Sequence, residues 1–168
     1  MLPYKIELLG AKHDRSAFAC GVDSLDRYLE RQAGQDAKRR IATVYVLVRV
    51  DEPAVVAGFY TLSATTVVLS DLPPGVAKRL PRYPLIPATL IGRLAVARGF
   101  QGQNLGEHLL MDALKRSFEA SKRVASFAVV VHAVDHSARA FYQRYGFQSF
   151  EERVLYLFLP MESLEGLF

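Results

Sequence analysis

The chain has 168 residues, 51% of them hydrophobic, and 21 Lys and Arg stand against 17 Asp and Glu, for a formal net charge of +4 and a pI near 9.3. That length and apolar content suit one domain with a full core over residues 1–168, and the moderate basicity suits any of several anionic ligands. Cys20, the single cysteine, excludes internal disulfides and multi-cysteine metal sites, so no metal is expected; with no apolar run of membrane-span length, and no basic head and long apolar segment in residues 1–20, a cytoplasmic protein without membrane contact is expected.

Residues 4–9 alternate weakly and read as an opening strand. A helix begins near Val22, with Asp23 or Ser24 as its cap and Leu25, Tyr28, Leu29 and Ala33 on its buried side. Arg27, Arg31, Lys38, Arg39 and Arg40 are left for its outer side and its end. Residues 43–50 and 55–69 are rich in β-branched and aromatic side chains and read as an antiparallel pair, with Asp51-Glu-Pro-Ala as the turn and Gly58 as the mark of a bulge. Residues 71–87 hold five of the eight prolines and read as a connecting loop with one short helix around 76–80, carrying Lys78, Arg79 and Arg82. A central strand over 87–96 leads into a helix over 104–120, and the near-continuous apolar run 123–131 fits a strand buried on both faces. Ala138, Phe141, Tyr142 and Tyr145 then fall on one helical face, with Asp135 as its cap and Gly146 as its stop. Residues 148–159 close as a strand pair. The order of elements fits a mixed α/β sheet.

Two stretches carry the chemistry. Val96-Ala-Arg-Gly-Phe-Gln-Gly-Gln-Asn-Leu-Gly106 joins the central strand to a helix. The first N–H groups of such a helix lack intrahelical partners and lie at the positive end of its dipole, so a phosphate can bind there. The dinucleotide and nucleoside-triphosphate loop patterns are both absent. The order Gln101-x-x-Asn104-x-Gly106, followed some thirty residues later by Ala138-x-x-Phe141-Tyr142-x-x-x-Gly146-Phe147, resembles the coenzyme A loop and the tyrosine signature of the GNAT family of N-acetyltransferases. Asn104 stands where the family has a glycine, and Asn is the other residue that tolerates a left-handed backbone.

The resemblance covers essentially the whole chain. It implies a mixed, mostly antiparallel sheet of six or seven strands with a central splayed parallel pair, flanked by helices, and acetyl-CoA as cofactor. It also implies that Leu94, Ala95 and Val96 hold the thioester arm, that Gln101, Gly102, Gln103, Asn104, Leu105 and Gly106 hold the pyrophosphate, that Ser137 touches coenzyme A, and that Tyr142 is the general acid. A phenol of pKa near 10 is matched to protonating a thiolate. His132 and His136 are candidate bases, each also readable as structural. No carboxylate occurs between Leu85 and Val96 to deprotonate the acceptor, which favours an α-amine, of pKa about 7.7–8.0, over a lysine ε-amine.

The segment from Phe18 to Leu29 and the basic tail to Arg40 resemble the toxin branch of the family, whose members belong to bacterial toxin–antitoxin pairs and acetylate aminoacyl-tRNA. In that reading Arg31, Lys38, Arg39, Arg40, Lys78, Arg79, Arg82 and Arg93 would meet tRNA phosphates. The partner would be a small ribbon–helix–helix antitoxin, and the branch allows a homodimer. The alternatives are a family member acting on a small amine, an antibiotic or a protein N-terminus, and a non-catalytic acyl-CoA-binding regulatory module.

Overall fold

The computed structural model describes residues 3–168 and turns the β-branched runs into a seven-stranded sheet of order β1-β2-β3-β4-β5-β7-β6. β1 (Tyr4–Leu8), β2 (Thr43–Arg49) and β3 (Glu52–Val68) pair antiparallel in succession. β4 (Leu85–Val96) and β5 (Ala128–His132) are parallel, with Ala88–Ile91 registered against Ala128–Val131. That ladder ends at Ile91, while β4 runs on to Val96. The short β6 (Gln148–Ser149) and then β7 (Tyr156–Pro160) complete the other side, antiparallel to each other and, for β7, to β5. The helices are α1 (Asp23–Arg27) and α2 (Ala33–Lys38) with a π-helical turn, Tyr28–Gln32, between them, then α3 (Pro74–Ala77), α4 (Leu105–Ser121) and α5 (His136–Arg144). Among the described residues no helix is long and apolar enough to cross a membrane. The expected α/β architecture and its single parallel pair are present.

The chain forms two compact units, one of the residues up to Ser63 with Gly92–Ala113, the other of Ala64–Ile91 with Leu114–Phe168. In the first, Phe18, Leu25, Tyr28, Leu29 and Ala33 pack on Val44, Val46, Phe59 and Ala95, so the predicted buried side of the first helix is the observed one. In the second, Val67, Leu72 and Val76 join Ala128, Val130, Phe150 and Phe158. The register of β2 on β3 slips between Leu47 and Val48, leaving Ala57 as an extra residue beside Gly58. A Cβ on Gly58 would lie 2.9 Å from the Ala95 carbonyl and 2.9 Å from Leu109, so only glycine lets β4 and α4 approach this closely.

Three local expectations are corrected. The first helix is entered from Val22 with no side-chain cap; Asp23 instead pairs with Arg27 at 3.1 Å, and Asp26 accepts the Cys20 N–H at 2.9 Å. β3 starts at Glu52, inside the expected turn. The run 123–131 is strand only from Ala128: Arg123 and Val124 still bond back to the Ala120 carbonyl, and Val124 is 79% exposed. β-branched composition signals strand propensity but not where a ladder partner begins.

Candidate active site

β4 is followed by a single 3-10 turn (Arg98–Phe100), and α4 starts at Leu105. Between them Gly102 and Asn104 take positive φ, 84° and 60°, so Asn104 does adopt the left-handed conformation its position requires. The Gln101 side chain turns back on the chain and donates to the carbonyls of Val96 (3.0 Å) and Cys20 (3.1 Å). Gln103 Oε1 accepts the Tyr4 hydroxyl at 2.9 Å. These contacts engage the loop's side chains and leave its backbone amides available to a ligand. Among the described residues no acceptor meets the N–H groups of Gly102 to Gly106, which stand at the positive end of a 17-residue helix. Nothing lies within 4 Å of a Cβ placed on Gly102. Free amides, helix dipole and open space together fit a pyrophosphate. Leu105 is buried with Leu109 and Leu110 and anchors the helix start.

Ala97 N–H donates to the Ala57 carbonyl at 2.8 Å. Strand alternation then turns the N–H groups of Leu94 and Val96 to the other edge of β4, beyond the last residue registered with β5. Ala95 is buried in the core and supplies packing. The predicted cofactor residues 94–96 and 101–106 therefore lie together on consecutive elements of the first unit, and Ser137 lies exposed in the first turn of α5 in the second.

Asp135 caps α5, its Oδ1 accepting the Ala138 N–H at 2.8 Å. Gly146, at φ 93°, ends the segment, and the Phe147 N–H bonds to the Tyr142 carbonyl at 3.3 Å. The Tyr142 ring packs edge-on against Phe141 (5.3 Å) and Phe147 (5.5 Å) and the residue is 6% exposed. No described residue hydrogen-bonds its hydroxyl, yet no buried side-chain polar atom among those residues lacks a partner, so the hydroxyl oxygen reaches solvent. Tyr60 shows the contrasting core arrangement, with its hydroxyl donating to Asp112 at 2.6 Å. Burial pushes the Tyr142 phenol above its usual value, so it keeps its proton at neutral pH. The candidate bases are less well placed for that role: His132 is exposed and stacks flat on Tyr156 at 4.1 Å, and His136 is exposed at the start of α5.

Arg31, Lys38, Arg39 and Arg40 are exposed in the first unit, with Arg31 near Glu30 at 3.6 Å. Arg40 carries a left-handed φ of 57° at the end of α2. In the second unit Lys78, Arg79 and Arg82 are exposed, Arg79 lies 3.7 Å from Glu162, and Lys78 and Arg82 line a cavity of about 650 Å³ with Leu80 and Tyr83. Arg93 differs from these: it is half-buried, with its guanidinium 3.6 Å from the centre of the Tyr28 ring. The Tyr28 hydroxyl donates to Asp36 at 2.8 Å, and Gln32 donates to the other Asp36 oxygen at 2.9 Å. Reading the sequence assigned Tyr28 to the core and left Gln32 and Asp36 without a role; the recurrence of polar atoms at 28, 32 and 36 was the available signal.

Against known proteins, a family model described as an acetyltransferase (GNAT) domain matches residues 82–162. The chain is 35% identical over 154 residues, 92% of its length and 90% of the relative's, to a tRNA-acetylating toxin of Mycobacterium tuberculosis. Among solved structures it matches AtaT complexed with acetyl-methionyl-tRNAfMet at a TM-score of 0.90 and 32% identity, covering 98% of this chain and 99% of that one. A tyrosine-to-phenylalanine variant of AtaT bound to the C-terminus of the antitoxin AtaR and acetyl-CoA matches at a TM-score of 0.84 and 29% identity, over 99% and 98% of the two chains. With that identity over nearly its whole length, and with both signature segments folded as loop and tyrosine helix, the chain belongs to the GNAT family of acetyl-CoA-dependent N-acetyltransferases.

Proposed function

We propose that this enzyme is the toxin of a toxin–antitoxin pair and acetylates the α-amine of aminoacyl-tRNA, which blocks translation. The observation that carries the reading is the 35% identity over 92% of the chain to a tRNA-acetylating toxin. Residues 1–168 act as one N-acetyltransferase domain. Acetyl-CoA supplies the thioester. The amides of Gly102 to Gly106 bind its pyrophosphate, the Leu94 and Val96 N–H groups orient the arm, and Ser137 adds a contact. Tyr142 holds the proton that the departing sulfur needs. An acceptor α-amine is substantially neutral near pH 8, so its attack does not require the carboxylate missing from residues 85–96. Arg31, Lys38, Arg39, Arg40, Lys78, Arg79, Arg82 and Arg93 meet tRNA phosphates. The antitoxin is a small ribbon–helix–helix protein, the toxin is a cytoplasmic homodimer, and neither contacts a membrane.

The test is transfer from radiolabelled acetyl-CoA to a panel of aminoacyl-tRNAs, free amino acids, peptides and small amines. Label is expected on one or a few aminoacyl-tRNAs. Label confined to a small amine or to a peptide N-terminus would overturn the toxin reading, and binding of coenzyme A without transfer to anything would leave the regulatory module.

A further inference from the structure

In the first unit a series of aromatic rings ends in a cation with unused donors. Phe18 meets Phe59 edge-on at 5.4 Å, Phe59 lies nearly parallel to Tyr28 at 6.3 Å and 16°, and Arg93 stands over Tyr28 at 3.6 Å. A guanidinium carries five N–H donors in a rigid fork and is charged at every accessible pH. Among the described residues Arg93 makes no hydrogen bond and has no carboxylate within 4.0 Å. Asp36, whose two oxygens accept one each from Tyr28 and Gln32, meets Arg93 through space. The Gln32 hydrogen bond, with smaller help from Tyr28 and Arg93, holds the Asp36 carboxyl below its usual range. Burial, with Asp36 second, pushes the Tyr28 phenol up to about 12, which keeps it a neutral donor.

The backbone contributes to this arrangement. In an unbroken α-helix, side chains four residues apart drift by about 40°, so positions 28, 32 and 36 would spiral away from one another. The intervening turn is π-helical, closed by an Ala33 N–H to Tyr28 carbonyl bond, and a wider turn rotates less per residue and offsets the drift. The Tyr28 and Gln32 side chains thus converge on the Asp36 carboxylate. Arg93 immediately precedes Leu94 on β4, whose N–H is assigned to the thioester arm, so the two residues are neighbours on one strand.

The geometry points to Arg93 as the residue that grips one phosphate at the 3′ end of the acceptor strand, with Tyr28, Gln32 and Asp36 as positioning residues that hold its fork. This rests on the aminoacyl-tRNA reading above. Esterification removes the α-carboxylate, so apart from an aspartyl or glutamyl side chain the anions such a ligand offers are phosphates, and a planar fork matches two phosphate oxygens where a lysine offers one point charge.

The experiment combines steady-state kinetics on the aminoacyl-tRNA the enzyme prefers with tRNA binding against salt. Arg93→Lys should lower kcat/KM at least tenfold while acetyl-CoA affinity and melting temperature stay at wild-type values. Arg93→Ala should reduce the log–log salt slope of binding by roughly 0.7–0.9, the increment for one phosphate. Asp36→Asn, with Gln32→Ala as the milder second variant, should cost about threefold in the wild-type background and nothing in the Arg93→Lys background, because residues acting through one group do not combine additively. Wild-type kcat/KM in Arg93→Lys, an unchanged slope in Arg93→Ala, or multiplying effects of Asp36→Asn and Arg93→Lys would each overturn the inference and leave the toxin reading standing. A wild-type enzyme that acetylates no aminoacyl-tRNA would overturn both.

Discussion

Tyr142 combines a ring packed between Phe141 and Phe147 with a hydroxyl that no described residue engages. The packing fixes its direction and the desolvation keeps its proton. Replacing it by Phe removes one oxygen and leaves the packing, so turnover should fall about a hundredfold or more with acetyl-CoA affinity and melting temperature unchanged. A variant that kept near-wild-type turnover would make the tyrosine a packing residue. The pH profile carries independent information. The acceptor loses its proton through about pH 7.7–8.0 and an ordinary phenol near pH 10; burial moves the Tyr142 titration still higher, so its proton is present throughout the range where the amine becomes reactive. The rate should climb to a plateau through about pH 8 and show no descending limb before about pH 10. A limb near pH 9 would assign the donated proton to another group.

The loop before α4 and the end of α2 each contain a non-glycine residue in the left-handed region, Asn104 and Arg40, and the two should respond differently to replacement. Asn104→Gly should keep coenzyme A affinity, whereas Asn104→Val forces a β-branched side chain into a conformation it resists, and Gly102→Asp sets a carboxylate against the pyrophosphate. Calorimetry should show each of the last two losing at least tenfold, about 1.4 kcal/mol. Arg40 pays about 1–2 kcal/mol for its backbone, and Arg40→Gly recovers part of it, a net gain of about 0.5–1 kcal/mol after the greater entropy of glycine. It should melt about 1–4 °C higher and bind tRNA more weakly. Much of this was legible beforehand, because caps and left-handed residues are local: Asp135, Gly146 and Asn104 act within a few positions of themselves. The π-helical turn had no such mark. Arg93 and Tyr28 are 65 positions apart, and a contact across that distance leaves no periodicity to read.

For the chain as a whole, the proposed contacts of the basic residues with tRNA phosphates predict a salt response. Replacing Lys38, Arg39 and Arg40 together by alanine should flatten the log–log salt slope of tRNA binding by about two to three, at roughly 0.7–0.9 per phosphate, while leaving acetyl-CoA affinity unchanged. A slope equal to wild type would reduce this run to a solvated helix end. The succession of strands and helices and the β2–β3 pair were legible in β-branched runs and turn residues, whereas the parallel pair was implied only by the family resemblance; the division into two compact units was not legible, because β3, β4 and α4 each continue from one unit into the other and no composition change marks the passage. The tight fit at Gly58 has a consequence for genetics. Any side chain there must push against the Ala95 carbonyl or Leu109, on the strand and helix that frame the coenzyme loop. If expression of the protein arrests growth, surviving colonies should carry not only lesions at Tyr142 but also substitutions at Gly58, a position that touches neither substrate.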